Sequence, residues 1–341
     1  MQPSKRGIRS TAQVSHWVLF AVSIFVPWLS FANHGPATSG GGSTTISGDT
    51  LDKGGTRFSL DFSYTNYDDI SADEKKRRAE VGGDFDGLRD SYLESLTVSH
   101  GMTDNLELSA QLGWYSGRGF SETHSSEKAL MKNSGHSEEP EVETATGSPE
   151  GLTDLLLRAK YRVVRNQREH LSLLGGVILP TGENDQRLSN GEKLEPSSQP
   201  GSGAFGYLGG LSYSRHLGSR VAIDASGVYV LRTSDDGFEV GDRIDTGVAV
   251  TYSFDDSEDL HPNVGVFIEL THTWLGKDSE RGEGLNENSG GNSYYLTSGV
   301  RFAIAHGITF MVAPSIPLQQ NLNGEQLETD FRIFGQLSAT I

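Results

Sequence analysis

From Thr56 to Ile341 apolar and polar residues alternate with a period of two, and that pattern decides the fold class. A strand places successive side chains on opposite faces, so strict alternation describes a sheet with one apolar and one polar surface. In residues 57–64 the apolar Phe58, Leu60, Phe62 and Tyr64 hold every even position. The same pattern recurs at 106–114, 155–163, 171–179, 205–213, 221–231, 244–254, 264–274, 296–304, 308–316 and 331–341. A weaker copy lies at 92–100, where Glu94 shares a face with Leu96 and Val98. With it included the expectation is twelve strands, an even number.

The connections sort into two kinds. Those at 100–105, 165–169, 216–220, 254–262 and 306–307 are short; those at 68–91, 116–150, 181–202, 233–242, 276–292 and 319–328 are long and polar. Short and long alternate strictly. That is the pattern of an all-β, transmembrane, antiparallel up-and-down β-barrel, with tight turns on one side and extended loops on the other. Closure also removes the unpaired strand edges that a lipid environment cannot tolerate.

Charge agrees with this division. The six long connections carry 29 acidic and 12 basic residues, which accounts for the whole net charge of −17. An acidic rim above a charge-balanced barrel argues against a nucleic-acid partner, because phosphate contact needs clustered Lys and Arg. Zero Cys excludes disulfides, thiolate metal sites and cysteine nucleophiles. Tyr64, Tyr67, Trp114, Tyr115, Tyr213, Tyr229, Trp274 and Tyr294 near segment ends suit interfacial girdles.

Ahead of the barrel, Lys5, Arg6 and Arg9 precede an apolar run at 17–26, and Ser30-Phe31-Ala32 offers small residues for cleavage. This reads as a secretory signal peptide over 1–32. Residues 33–55 are rich in Gly, Ser and Thr and read as a flexible periplasmic tether. The barrel then occupies 56–341, in a Gram-negative outer membrane, with short turns and both termini periplasmic. Its expected partners are outer-membrane lipids, lipopolysaccharide and the barrel-assembly machinery.

If the apolar faces meet lipid, the opposite faces line a lumen. They contribute Arg57, Asp61, Glu107, Arg158, Lys160, Arg162, Asp224, Arg243, Asp245, Glu269, Arg301, Asp330 and Arg332. Arg158, Lys160 and Arg162 form a basic row on one strand, and Asp224, Asp245 and Glu269 lie on three consecutive later strands. Two readings stand: a transverse field across a polar solute path, or a ladder of ion pairs filling a narrow barrel. Gly176, Gly206, Gly210, Gly247, Gly265 and Gly299 also face inward, either widening the path or relieving crowding.

Gly151-Leu152-Thr153-Asp154-Leu155, running on to Lys160-Tyr161-Arg162, resembles a known family. So do Leu179-Pro180-Thr181-Gly182 and Glu195-Pro196-Ser197-Ser198-Gln199-Pro200-Gly201-Ser202-Gly203. These stretches resemble the outer-membrane barrels of the phenol-degradation (MetA-pathway) family, usually described as transporters. The resemblance implies passage of small or hydrophobic solutes across the outer membrane; the expected mechanism is diffusion along the polar, mixed-charge interior, gated by the 116–150 and 181–202 loops. The competing reading is a non-conducting surface protein whose acidic loops bind ions, lipopolysaccharide or a partner.

Catalytic chemistry finds no support in the pattern. No G-x-S-x-G elbow occurs, and His272, the only histidine central to a strand, takes the lipid-facing parity. His100, His216 and His306 recur at short turns, but adjacent-strand spacing does not gather all three, so no metal site is expected. Neither cofactor nor catalytic residue is expected. His124 and His136 with Glu138, Glu139, Glu141 and Glu143 form a polar run that reads as a solvated loop.

Overall fold

Twelve strands hydrogen-bond into one closed ring, each antiparallel to its neighbours. In chain order they are β1 Thr56–Tyr67, β2 Asp90–Thr103, β3 Leu106–Arg118, β4 Leu155–Arg165, β5 Glu169–Leu179 and β6 Gly206–Leu217. The second half comprises β7 Val221–Arg232, β8 Arg243–Ser253, β9 Asn263–Leu275, β10 Gly291–Ala305, β11 Ile308–Leu322 and β12 Thr329–Thr340. The computed structural model describes residues 41–82, 84–125, 142–255, 263–305 and 307–341. The expected signal peptide and residues 33–40 lie outside them.

β1 closes the ring, pairing with β2 from Thr56↔His100 to Asn66↔Asp90 and with β12 from Arg57↔Thr340 to Tyr67↔Thr329. Two backbone bonds finish the seam: Thr56 N donates to the Ile341 carbonyl at 2.9 Å, and Ile341 N donates to the Thr56 carbonyl at 2.8 Å. The carboxyl terminus and the start of β1 therefore lie together at the short-turn end.

The faces are inverted relative to a water-soluble protein. Leu60 is 57% exposed and Ile268 62% exposed, while Glu269 beside it is fully buried. Apolar side chains on a continuous outer band and polar ones inside are what a lipid solvent selects. The register puts Tyr67 and Tyr115 on the inner face with Asp61 and Glu107, so they are not girdle residues; parity along β1 and β3 requires this. His272 keeps its outward parity, stacked on Tyr294 at 4.5 Å with Nε2 2.9 Å from Asn292 Oδ1.

The long loops are not merely solvated. Helix α1, Ala72–Gly82, lies in the first, and three short strands (Asp84–Gly87, Phe120–Ser125 and Val142–Gly147) form a small sheet above the barrel. Phe120, Ala145, Leu188 and Leu194 make a buried apolar cluster with Leu88 against it, drawing three loops together. Each such large side chain contributes roughly 1.5–3 kcal/mol on full burial. Glu74, in the first turn of α1, accepts at Oε1 from Arg77 Nη2 at 2.7 Å and from Arg78 Nε at 3.1 Å. Those guanidiniums hold its carboxyl down to about 2.

The three stretches that carry the family resemblance meet at one junction of these loops. Asp154 accepts from Gly182 N at 2.9 Å, Ser202 N at 2.9 Å and Ser202 Oγ at 2.7 Å. Gly182 and Gly201 pack backbone to backbone, where a Cβ on either would sit within 2.7 Å of the other. Asp154 is thus a clasp between two loops and the start of β4.

Candidate functional site

Residues 41–55 do not form the solvated tether that their composition suggests. They enter at the short-turn end and run around the inner wall from the β2–β3 turn past β4, β5, β6, β7 and β8 to β9 and β10. Gly54 N donates to the Gly101 carbonyl at 2.8 Å and Leu51 N to Glu107 Oε2 at 2.8 Å. Gly48 N donates to Ser214 Oγ at 2.8 Å, and Ser172 Oγ donates back to the Gly48 carbonyl at 2.6 Å. Ile46 N donates to Ser226 Oγ at 3.0 Å. Thr45, Ser47, Thr50 and Leu51 are buried.

The far end of this segment is held by a carboxylate. A turn closed by Gly42 N donating to the Thr45 carbonyl (3.2 Å) aims three successive N–H groups at Glu269. Ser43 N reaches Oε2 at 2.9 Å; Thr44 N and Thr45 N reach Oε1 at 3.0 and 2.6 Å. The Ser43 and Thr44 hydroxyls donate to the same carboxylate. Backbone donors buried away from water need partners, and a concave run of N–H groups is an anion cradle. Beyond it, Arg301 Nη2 donates to the Gly41 carbonyl at 2.9 Å.

Small residues make this passage fit. A Cβ on Gly42 would stand 2.3 Å from Glu269 Oε1, and one on Gly247 would stand 2.3 Å from Thr45 Oγ1. A Cβ on Gly299 would meet the Phe267 ring at 2.3 Å. These inward glycines therefore give their space to the segment and to Phe267.

Most of the charges expected in the lumen lie on the inner face, a few paired with one another and the others bonded to neutral groups. Lys160 Nζ lies 3.8 Å from Glu107 Oε1, and Arg158 feels the Glu107 and Asp61 carboxylates. Gln336 Nε2 donates to Asp61 Oδ1 at 2.7 Å, and Arg57 Nε donates to Thr340 Oγ1 at 3.2 Å. Arg162 donates to the Asp104 carbonyl at 2.6 Å, and Ser214 Oγ donates to Asp224. Nearer the long loops Arg243 forks onto Asp245 at 2.6 and 2.9 Å, and Arg332 lies 3.8 Å above the Tyr295 ring. Along the basic row on β4, Arg158 and Lys160 thus share Glu107, while Arg162 reaches a backbone carbonyl.

Asp330 departs from the expectation. A register shift at Asn66/Tyr67 skips it between the pairs Asn66↔Phe331 and Tyr67↔Thr329, and it is exposed. The bulge turns Thr329 inward instead, where Gln320 Oε1 accepts from its N–H at 2.9 Å.

Three features of this lumen escaped the pattern reading. The first is the segment itself. The second is an apolar patch on the inner wall, where Phe267, Met311 and Ala313 are buried together with Phe334 packed against them. Arg301 sits over the Phe267 ring at 5.5 Å. The third is His170, which with Asp49 and His216 brings three ligand-type atoms within 4.8 Å of one another. Its inward parity on β5 was available; its partner on the segment was not.

A family model described as "Putative MetA-pathway of phenol degradation" matches residues 90–316. Among solved structures, the COG4313 outer membrane channel from Pseudomonas putida F1 superposes with a TM-score of 0.58 at 16% identity, over 86% of this chain and 97% of that one. A Pseudomonas aeruginosa FadL homologue gives 0.40 at 11% identity, over 85% and 90%. The TodX deltaS2S3 mutant, a monoaromatic hydrocarbon channel, gives 0.44 at 10% identity, over 85% and 91%. No curated protein matches the chain.

Proposed function

The chain belongs to the phenol-degradation (MetA-pathway) family of outer-membrane barrels, and from that premise we propose that it is a channel for small solutes, hydrophobic ones included, whose constriction is the segment 41–55. The observation that carries this reading is how the segment is held. Its anchors are carboxylates, hydroxyls and backbone groups, each of which water can replace when the segment moves. An interlocked structural plug would be packed on apolar surface instead. The patch of Phe267, Met311 and Phe334 gives a passing apolar solute a non-aqueous wall opposite the charged row on β4.

In this reading the short turns and both termini face the periplasm, and the acidic loops face outward. There they meet lipopolysaccharide through divalent ions, after insertion by the barrel-assembly machinery. Mixed charge in the lumen leaves ion selectivity weak. The surface-protein alternative draws on the same satisfied ion pairs and on the loops' own apolar cluster.

Planar-bilayer recordings on the refolded barrel, beside a form beginning at Gly54, separate the two. The channel reading expects larger, weakly selective steps from the shortened form, and faster entry of phenol into liposomes. Silence and no phenol entry from both, with the barrel shown to be folded, would leave the surface protein.

A further inference from the structure

We propose that Asp49, His170 and His216 form a site for a divalent transition metal of the zinc class, which fastens the luminal segment to strands β5 and β6. His170, the second residue of β5, faces inward and pairs across the ladder with Ser214; His216 follows two residues further along β6 on the same face. The two rings meet edge to face with centroids 6.0 Å apart. Asp49 comes to them from the segment. Its Oδ1 touches His170 Nδ1, and its Oδ2 lies 3.9 Å from His216 Nε2.

The acceptors around His170 suit a cation. His170 Nε2 lies 2.8 Å from the Asn166 carbonyl oxygen, which only accepts, so that nitrogen carries the hydrogen. A neutral His170 then points the lone pair of Nδ1 at the Asp49 carboxylate, which also only accepts. Two acceptors in contact call for a positive charge between them, a proton or a metal ion. A ligating imidazole whose other N–H is tied to a backbone carbonyl is the usual arrangement at metal sites.

The surroundings are built for a fixed geometry. Asp49 N donates to Ser47 Oγ at 3.0 Å, and the Ser47 hydroxyl donates to Asp49 Oδ2 at 3.2 Å. Gly48, next along the chain, is bonded to Ser214 and Ser172 on the same two strands. Arg162 Nη1 stands 4.0 Å from Asp49 Oδ1, while its Nη2 is engaged by the Asp104 carbonyl, so Asp49 keeps its coordinating lone pairs. Asp224 adds a second negative charge near His216. A tetrahedral ion with bonds of about 2.0–2.1 Å wants ligand atoms roughly 3.3 Å apart, and the three ligand atoms here lie within 4.8 Å of one another. Two imidazoles and one carboxylate favour Zn, Co or Ni over Ca or Mg, which take oxygen alone. Lumen water completes the shell.

The test is cobalt titration of the refolded, tag-free full-length barrel, followed by visible absorption and by displacement with zinc. One equivalent of Co(II) with a four- or five-coordinate spectrum is expected, displaced stoichiometrically by zinc. H170Q and H216Q are each expected to weaken binding at least 10-fold while keeping the heat-dependent gel mobility of a folded barrel. Asp49→Asn is expected to do the same. Absence of stoichiometric uptake at about 100 μM metal would overturn the site and assign the charge to a proton. Affinity unchanged in both histidine variants would also overturn it. Neither outcome depends on whether the barrel conducts.

Discussion

Glu269→Gln is the perturbation that most cleanly separates the segment from the barrel. The buried carboxylate accepts three backbone N–H groups and two hydroxyls from Ser43, Thr44 and Thr45. Glutamine keeps one acceptor oxygen and replaces the other with an NH₂ group. Placed at the Oε2 position, that group faces Ser43 N, a donor against a donor. Hydrogen bonds to a charged group contribute roughly 1.5–3 kcal/mol each, so losing the Ser43 pair and the charge costs about 2–4 kcal/mol of docking. At about 1.4 kcal/mol per tenfold, the detached population rises roughly 30- to 1,000-fold. The natural chain has no Cys, so one cysteine reports without background. In a Ser47→Cys background, at a site only 6% exposed, a water-soluble maleimide should label the Glu269→Gln barrel faster by that factor. A rate within about twofold of the Ser47→Cys parent, with folded gel mobility, would refute the cradle as the segment's anchor.

Three other outcomes follow from the same geometry. Asp154→Ala strands the Gly182 and Ser202 donors and weakens the loop clasp by about 2–3 kcal/mol; protease should cut within 181–202 sooner while the barrel's heat-dependent mobility is unchanged. Gly299→Ala forces a methyl against the Phe267 ring and should lower stability by about 1–3 kcal/mol, read from the denaturant midpoint. Asp278, buried in the 276–292 loop, has its carboxyl raised by desolvation despite the 2.7 Å bond from Gly241 N. Because its folded pKa is raised, the folded state takes its proton first and gains stability as pH falls toward the ordinary value of 3.8. The advantage of Asp278→Asn should therefore be largest at pH 7 and shrink on acidification.

All twelve strands were legible because lipid enforces alternation on every strand, with no interior strand exempt. The inward charges followed from parity alone, and Asp330 failed only because a bulge shifts the count by one. Tyr67 and Tyr115 show parity outranking aromatic preference. The luminal segment was not legible. Its Gly, Ser and Thr residues have a linker's composition, and its partner Glu269 lies more than 220 residues away. The usable hint was on the wall: Glu269 faces inward across from Thr297 on the neighbouring strand, beside an inward Gly247. The loop cluster was hidden similarly, since Phe120, Leu188 and Leu194 are scattered through acidic loops.

The central claim, that movement of residues 41–55 opens the lumen, is tested most directly by a reversible lock. Thr45 Cβ lies 3.3 Å from where a Cβ on Gly247 would sit, close to the 3.5–4.5 Å that a disulfide spans. Single-channel conductance of Thr45→Cys/Gly247→Cys should be lost on oxidation and return in the same bilayer on reduction. Conductance that ignores the redox state, with the crosslink verified, would contradict the account.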